Sequence, residues 1–269
     1  MNLLQAIVLG LVQGATEFIP VSSSGHLVLV PWWFSWPDPG LAFDTVLHLG
    51  TLLAVLTVFG SDLVHLAFNA WRAASSGHWN APQARTAWCI VLGTLPAALM
   101  GVLWEERFEM LFGSPLHVAI LLLVTGFWLL AAERIGRKRR GIEQMAWHES
   151  LLIGVAQGCA IAPGISRSGS TIGTGLMLGF ERGSATRYSF LLSTPIIFGA
   201  GMLQIVKLLR MANLDAQLLP LALGFVAAFL SGYACIRFLL DYVKSRSLIA
   251  FSAYCGLAGT ASIVLWFLR

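Results

Sequence analysis

Hydrophobic positions along the chain fall into two sets of runs, and each set begins with a pair of short ones. In each pair, a loop containing Pro, Ser and Gly separates two helix-compatible runs; the pairs are 2–19 with 27–36, and 146–162 with 170–181. Three longer runs follow each pair, near 41–60, 85–104, 115–134, 185–209, 216–240 and 247–268. Because about 20 apolar residues cross a bilayer, the pattern predicts an all-α integral membrane protein. Each half would contain a re-entrant helix–loop–helix and three transmembrane helices.

Two polar stretches interrupt this pattern. Residues 61–84 predict an amphipathic helix that is followed by a Ser-Ser-Gly loop. Residues 134–140 are strongly basic and separate the two halves, which we place at about 1–134 and about 146–268.

The two pairs of short runs also share sequence. Five pairs of identical residues occur at a constant spacing of 144 positions: Gln13 and Gln157, Gly14 and Gly158, Ser22 and Ser166, Ser24 and Ser168, and Gly25 and Gly169. Three spans, an odd number, lie in each half, so the halves are predicted to have opposite orientations. We therefore predict an inverted-topology repeat within a single transmembrane domain, residues 1–269. In that architecture, broken helices from the two halves meet at a binding site.

Composition supports a membrane-embedded chain. Of the 269 residues, 57% are hydrophobic and only 11% are charged, against about 25% charged in a soluble domain; the mean hydropathy is +0.76. The net charge is only +4, and the basic cluster lies beside an apolar run, so we interpret it as a topology signal. We expect membrane lipids as neighbours and no nucleic-acid partner. The sequence leaves open whether the chain forms a homodimer.

The distribution of positive charge predicts the orientation. Twelve of the 17 Lys and Arg residues fall on one face of this layout and four on the other, while Arg167 lies in the second loop. Cytoplasmic loops carry the excess of Lys and Arg. The basic face is therefore placed in the cytoplasm and both termini on the extracytoplasmic side.

The first loop carries candidate catalytic groups. Gln13 and Glu17 are four residues apart and share one face of a helix. A carboxylate inside a membrane is costly and points to function, although Glu17 could instead pair structurally with Arg167. His26 follows a run of serines, and an imidazole beside hydroxyls can act as a general acid or base, tuned by Glu17. The alternative is a histidine with a structural hydrogen bond.

The second loop, residues 163–171, predicts an anion site. Gly164 and Gly169 let the backbone fold closely around a ligand, and consecutive amides can form an anion-binding nest. Arg167 provides a planar donor that suits phosphate oxygens. Further hydrogen-bond donors are the hydroxyl side chains of Ser166, Ser168, Ser170 and Thr171. A helix beginning at Thr171 would add positive potential at its N-terminus. Glu17 could also hold Mg²⁺ or Ca²⁺ between two phosphates.

Three motifs resemble those of the bacterial undecaprenyl-diphosphate phosphatase family of the bacitracin-resistance type. They are Gln13-x-x-x-Glu17, the Pro-Val-Ser-Ser-Ser-Gly-His run that ends at His26, and residues 163–171. The stretch from Phe43 to Thr51 also looks like that family. Asp44 and His48 in this stretch are weaker site candidates, because an aspartate at the entrance of a span and a packed structural histidine explain them equally well. The resemblance covers essentially the whole chain.

The resemblance implies hydrolysis of a polyprenyl diphosphate lipid, undecaprenyl diphosphate, to its monophosphate with a divalent cation, in the inner membrane of a bacterial cell. It implies Ser23 as nucleophile, oriented by Glu17 and His26, with Arg167 as a further catalytic group. The implied substrate contacts are Ser22, Gly164, Ser166, Ser168, Gly169 and Thr171, and the implied metal ligands are Glu17 and Gln13, where the family has Glu or Gln. The residues leave open whether Ser23 or a water attacks the phosphorus.

Two other classes compete with this hypothesis. A lipid-phosphate transporter or flippase could share the inverted-repeat architecture, but transport needs no nucleophile. An intramembrane serine protease could use Ser and His, but it has no use for Arg167 among hydroxyls.

Overall fold

The computed structural model describes residues 2–78, 81–208 and 214–269, and this part of the chain is helical throughout apart from short connections. A three-residue 3₁₀ turn at Ile142–Gln144 lies between α5 and α6. The ten helices are α1 (Leu3–Phe18), α2 (Ser23–Trp33), α3 (Leu41–Ser75), α4 (Pro82–Phe112), α5 (Pro115–Ile135), α6 (Trp147–Cys159), α7 (Arg167–Met177), α8 (Arg182–Leu208), α9 (Leu214–Ser245) and α10 (Ile249–Leu268). The predicted order, a short helix pair and then three longer helices, occurs twice.

Five helices in the described part of the chain are long and apolar enough to cross a bilayer: α3, α4, α5, α9 and α10. The chain is therefore an all-α, multi-pass membrane protein. The remaining predicted span, 185–209, coincides with α8, which is not among the five, and its residue 209 lies outside the described residues.

The prediction of a separate amphipathic helix over residues 61–84 is wrong. Helix α3 continues without a break from Leu41 to Ser75, because no Pro interrupts it and Asp62, just after Gly60, pairs with Arg187 on α8 at 2.6 Å. At 1.5 Å per residue its 35 residues span about 50 Å, more than the hydrocarbon core of about 30 Å. The helix therefore projects beyond the apolar layer. Gly77, in the predicted Ser-Ser-Gly loop, has a positive φ of 73° just after the helix end.

Helices from the two halves pack against each other in matched pairs. The first short helix of each half lies on the second long helix of the other: α1 on α9, and α6 on α4. The third long helices, α5 and α10, form another extensive contact, and the first long helices, α3 and α8, a further one. Small residues allow the close approaches, since Gly14 lies against the backbone of Ala228 and Gly154 against that of Gly93.

The basic connection after α5 is tied down by buried carboxylates. Glu133 binds Arg182 through two bonds of 2.8 and 2.7 Å, pairs with Lys138 at 2.8 Å and accepts the backbone N–H of Leu248 at 2.9 Å. These contacts fix the ends of α5, α8 and α10 relative to one another. Arg140 pairs with Glu149 of α6 at 2.6 Å in the same way. The second hairpin, which consists of α6, α7 and the loop between them, is thereby attached to the connection that precedes it; α1, α2 and their loop form the first hairpin.

Candidate active site

The two hairpins share the same local design. Ser22 and Ser166 stand immediately before the second helix of each hairpin as N-caps. The hydroxyl of Ser22 accepts the N–H of Gly25 at 3.2 Å, and that of Ser166 accepts the N–H of Gly169 at 3.0 Å. This cap starts α7 at Arg167, so the predicted helix start at residue 170 or 171 is wrong. It also starts α2 at Ser23 instead of residue 27.

The two loops meet directly. The N–H of Gly164 donates to Ser22 Oγ at 3.1 Å, and Ser168 Oγ donates to the carbonyl of Ile19 at 3.3 Å. Thr125 on α5 supports the second loop, since its hydroxyl donates to the Gly164 carbonyl at 2.9 Å and accepts the N–H of Ser166 at 3.0 Å. The prediction that the duplicated loops lie face to face is confirmed.

Glu17 is the centre of the contact between the loops. It is 5% exposed, and its Oε1 accepts a hydrogen bond from Arg167 of the opposite loop at 2.9 Å. Its Oε2 accepts from Gln13 at 2.9 Å and from Ser23 Oγ at 2.5 Å. His48 Nε2 lies 3.7 Å from the same oxygen. The carboxylate therefore aligns the Ser23 hydroxyl and the guanidinium in one cluster.

A cavity of about 310 Å³ opens beside this cluster. The polar residues of its lining, called the polar wall below, are Glu17, Ser23, Ser24, Asp44, Thr45, His48, Gln157 and Arg167. The apolar residues of its lining, called the apolar wall below, are Leu27, Leu41, Ala97, Phe112, Ala160, Ile161, Ile165, Ile196, Ile197, Ala200 and Gly201. A charged group can bind at the polar residues while a hydrocarbon chain contacts the apolar ones.

Among the residues predicted for the site, Glu17, Ser23 and Arg167 line this cavity, and the predicted substrate contacts do not. Those residues hold the loops instead. Ser166 and Ser168 are within 3.2 Å of each other, and the Thr171 hydroxyl contacts Ser189 Oγ at 2.6 Å. Gly169 donates its N–H to the Ser166 cap. Their roles as substrate contacts stay predictions.

His26 is not brought to the cavity. It is 2% exposed, its Nδ1 lies 2.8 Å from the Ser22 carbonyl, and its Nε2 lies 2.7 Å from the Tyr254 hydroxyl. A carbonyl only accepts, so Nδ1 carries the hydrogen and Nε2 accepts from Tyr254. Both ring nitrogens are thus engaged away from Glu17, and the ring stacks on Tyr254. His26 locks the first loop to α10, and its predicted catalytic role stays a prediction.

Gln157 is not among the predicted site residues, and Asp44 and His48 are only weaker candidates. All three line the cavity. The buried Oδ1 of Asp44 and both amide atoms of Gln157 have no hydrogen-bond partner. The signal for Gln157 was present, because it is the counterpart of Gln13 at the spacing of 144 positions.

The described residues provide oxygen donors for a cation but not a complete set of metal ligands. In the described part of the chain, no group of three or more His, Cys, Asp and Glu side chains is arranged to hold a metal ion. Mg²⁺ is commonly held by one or two carboxylates together with substrate phosphates. Glu17 and Asp44 both line the cavity, and the buried Oε1 of Gln13 has no partner. These residues fit an ion whose remaining ligands come from a bound diphosphate.

Comparison with known proteins decides the family. Residues 6–261 match the family described as bacitracin resistance protein BacA. The chain belongs to this family.

Relatives of this BacA family member are similar over almost their whole length. One from Moorella thermoacetica is 42% identical over 269 residues, which is 100% of both chains, and is named undecaprenyl-diphosphatase. A protein of the same name from Pelobacter propionicus is 44% identical and covers 98% of this chain and 97% of its own. Another, from Rubrobacter xylanophilus, is 45% identical over 94% of each chain.

The meeting of the loops depends on Gly164, which has a positive φ of 99°. A Cβ at this position would also clash with the carbonyl oxygen of Val118 on α5. We expect Gly164→Ala to lower the free energy of unfolding by about 2 kcal/mol or more, because a non-glycine residue in this region costs 1–3 kcal/mol before any clash. Thermal unfolding of the purified protein in detergent measures the change.

Gly183→Ala is the matched control, since a Cβ there meets no atom within 4 Å. Equal stability of the two variants would contradict the assignment of Gly164 as the residue that shapes the loop contact.

Proposed function

We propose that the protein hydrolyses undecaprenyl diphosphate to undecaprenyl phosphate and inorganic phosphate, and so recycles the carrier lipid of cell-wall synthesis. The observation that carries this proposal is the cluster of Ser23, Glu17 and Arg167 at the meeting point of the two loops. The names of its full-length relatives support the same reaction. A lipid-phosphate transporter would not need a serine aligned by a carboxylate.

The cavity provides the two halves of such a substrate with separate surfaces. Arg167 can bind phosphate oxygens as a planar donor, and its neutralisation of negative charge is what phosphoryl transfer requires most. The apolar wall, with Leu27, Phe112 and Ile165, suits the first units of an isoprenoid chain. The rest of the lipid would remain among membrane lipids.

In the proposed chemistry, Ser23 is the candidate nucleophile. Its hydroxyl donates to Glu17 Oε2 over 2.5 Å, so the carboxylate would accept that proton as Oγ bonds to the terminal phosphorus. The bond from that phosphorus to the bridging oxygen would break, and undecaprenyl phosphate would leave with the electron pair. Arg167, held by the other oxygen of Glu17 at 2.9 Å, would stabilise charge on the phosphoryl oxygens. Direct attack by water, with Ser23 as a hydrogen-bonding group, is the alternative route.

A divalent cation, Mg²⁺ or Ca²⁺, is part of this proposal. Glu17 and Asp44 would hold it together with the diphosphate, with Gln13 as a further oxygen donor. The ion would neutralise the charge of the diphosphate and orient it. The residues themselves position the serine and the guanidinium.

We further propose that the halves form an inverted repeat with both termini outside the cytoplasm, in the inner membrane of a bacterial cell. The matched contacts between halves support this symmetry, since α1 lies on α9 as α6 lies on α4. The excess of Lys and Arg on one face supports the orientation. Cysteine accessibility of residues 134–140 from the cytoplasmic side would test it.

Phosphate release by the pure protein in detergent tests the function, because transport gives no signal where there is no second compartment. We expect turnover of undecaprenyl diphosphate by the wild type, and a loss of at least about 100-fold in Arg167→Ala, since one charge-stabilising donor is typically worth 10²–10³ in kcat.

Arg187→Ala is the control for this variant, because it removes an exposed guanidinium whose partner is Asp62. Near-normal activity of Arg167→Ala, or no phosphate release by the wild type, would contradict the proposal.

The role of Ser23 can be tested separately. We expect Ser23→Ala to lower kcat on the order of 10³-fold or more, as loss of a nucleophile does in other covalent enzymes. Acid quenching of the wild type with substrate labelled in its terminal phosphate should trap label on the protein, and Ser23→Ala should trap none. Ser76→Ala, outside the cavity, is the control. Substantial activity without trapped label would favour direct attack by water.

The cation can be tested by chelation. We expect EDTA to suppress phosphate release and added Mg²⁺ or Ca²⁺ to restore it, because hard cations bind the oxygen donors of this wall. Asp44→Asn should raise the cation concentration that gives half-maximal activity, whereas the surface variant Asp241→Asn should not. Full activity in EDTA would rule out the cation.

A further inference from the structure

The side-chain amide of Gln157 is buried, and the packing of the helices leaves its hydrogen-bonding groups unsatisfied. It lies in the last turn of α6 and is 2% exposed, yet neither its Oε1 nor its Nε2 has a hydrogen-bond partner. A buried amide without partners costs about 1–3 kcal/mol. The side chain lines the same cavity as Arg167, so a ligand there can satisfy both atoms.

The rigidity of this position is built into α6. Gly154, one turn earlier, contacts the backbone of Gly93 on α4, and Gly158 lies against Met100 and Ala97 of the same helix. Close contact between the two backbones fixes the rotation of α6. The Gln157 amide is thereby held at the cavity wall.

The repeat explains why this amide is free. In the first copy, Gln13 donates Nε2–H to Glu17, four residues later, at 2.9 Å. At the spacing of 144 positions, Gln157 corresponds to Gln13, but Glu17 corresponds to Ile161. The second copy therefore has no carboxylate to engage the amide.

Two other polar side chains of the cavity already have partners. Glu17 accepts from three side chains, and the Thr45 hydroxyl donates to the Leu41 carbonyl at 2.8 Å. Among buried cavity-lining atoms in the described ranges, the unpartnered ones belong to Asp44 and Gln157. Of these two side chains, the Gln157 amide offers both a donor and an acceptor.

We propose that Gln157 positions the water that attacks phosphorus in this site. Nε2–H donates to an oxygen of the terminal phosphoryl group, and Oε1 accepts a hydrogen from the water. A glutamine serves the same purpose in GTPases, where it orients the attacking water. This inference rests on the proposed phosphatase function and adds a group that touches the reacting water.

The step it assists is hydrolysis. The water oxygen bonds to the terminal phosphorus while the bond from that phosphorus to its leaving oxygen breaks. The electron pair of the broken bond stays on the leaving oxygen, either the bridging oxygen of the lipid diphosphate or Ser23 Oγ. One proton of the water is released to solvent in both routes, and in the covalent route Glu17 returns to Ser23 Oγ the proton that it accepted in the first step.

The test is a steady-state comparison of wild type, Gln157→Leu and Gln157→Glu in detergent with undecaprenyl diphosphate. We expect Gln157→Leu to lower kcat by about 100-fold with little change in KM. The inhibition constant of a methylene-bridged polyprenyl diphosphate, which cannot be hydrolysed, should also change little. Gln157→Glu keeps an acceptor but adds negative charge, so we expect it to raise KM as well.

Thermal unfolding separates this role from a structural one. Gln157→Leu should unfold at the same or a higher temperature, because it removes an unsatisfied buried amide; a structural amide would show the opposite. Gln144→Leu makes the same change at an exposed site and should leave kcat and stability unchanged. If Gln157→Leu is too unstable to assay, Gln157→Glu replaces it, and wild-type kcat in Gln157→Glu would overturn the assignment.

Wild-type kcat in Gln157→Leu, or a loss confined to KM and inhibitor affinity, would overturn the assignment. Failure of the wild type to release phosphate would instead overturn the proposed function, so the two failures are distinct.

Discussion

The ion pair between Glu17 and Arg167 is the contact on which the rest of the site depends. Both side chains lie inside an apolar chain, where an unpaired charge costs several kcal/mol. Each side chain compensates the charge of the other. Since they come from different hairpins, their pairing at 2.9 Å fixes the two loops against each other. The hydroxyl of Ser23 and the amide of Gln13 complete the coordination of the carboxylate.

The two hairpins share one backbone design but carry different functional side chains. The capping serines, Ser22 and Ser166, occupy equivalent positions and make the same hydrogen bond. The residues directly after them differ, since Ser23 opens α2 and Arg167 opens α7. The same helix start thus presents a hydroxyl from one side and a guanidinium from the other, and the backbone design is preserved while the functional side chains diverge.

Much of this arrangement could be predicted from the sequence, because it follows from strong local signals. Apolar runs of bilayer length and the copies 144 residues apart predict the helices and the meeting of Glu17 with Arg167. Helix starts were less predictable, since the caps of Ser22 and Ser166 begin α2 and α7 several residues early. The direction of side chains could not be predicted, because one of the two contacts that hold the His26 ring away from Glu17 comes from Tyr254, 228 positions later in the chain.

The hydrogen bond from Gly164 to Ser22 has a consequence for how the two halves can move. It joins the tips of the two loops at 3.1 Å, beside the ion pair. Rocking one half against the other, as alternating access requires, would have to break both contacts at once. Any such rocking would therefore also part Arg167 from the carboxylate that aligns the Ser23 hydroxyl, so movement of the halves and readiness for chemistry exclude each other.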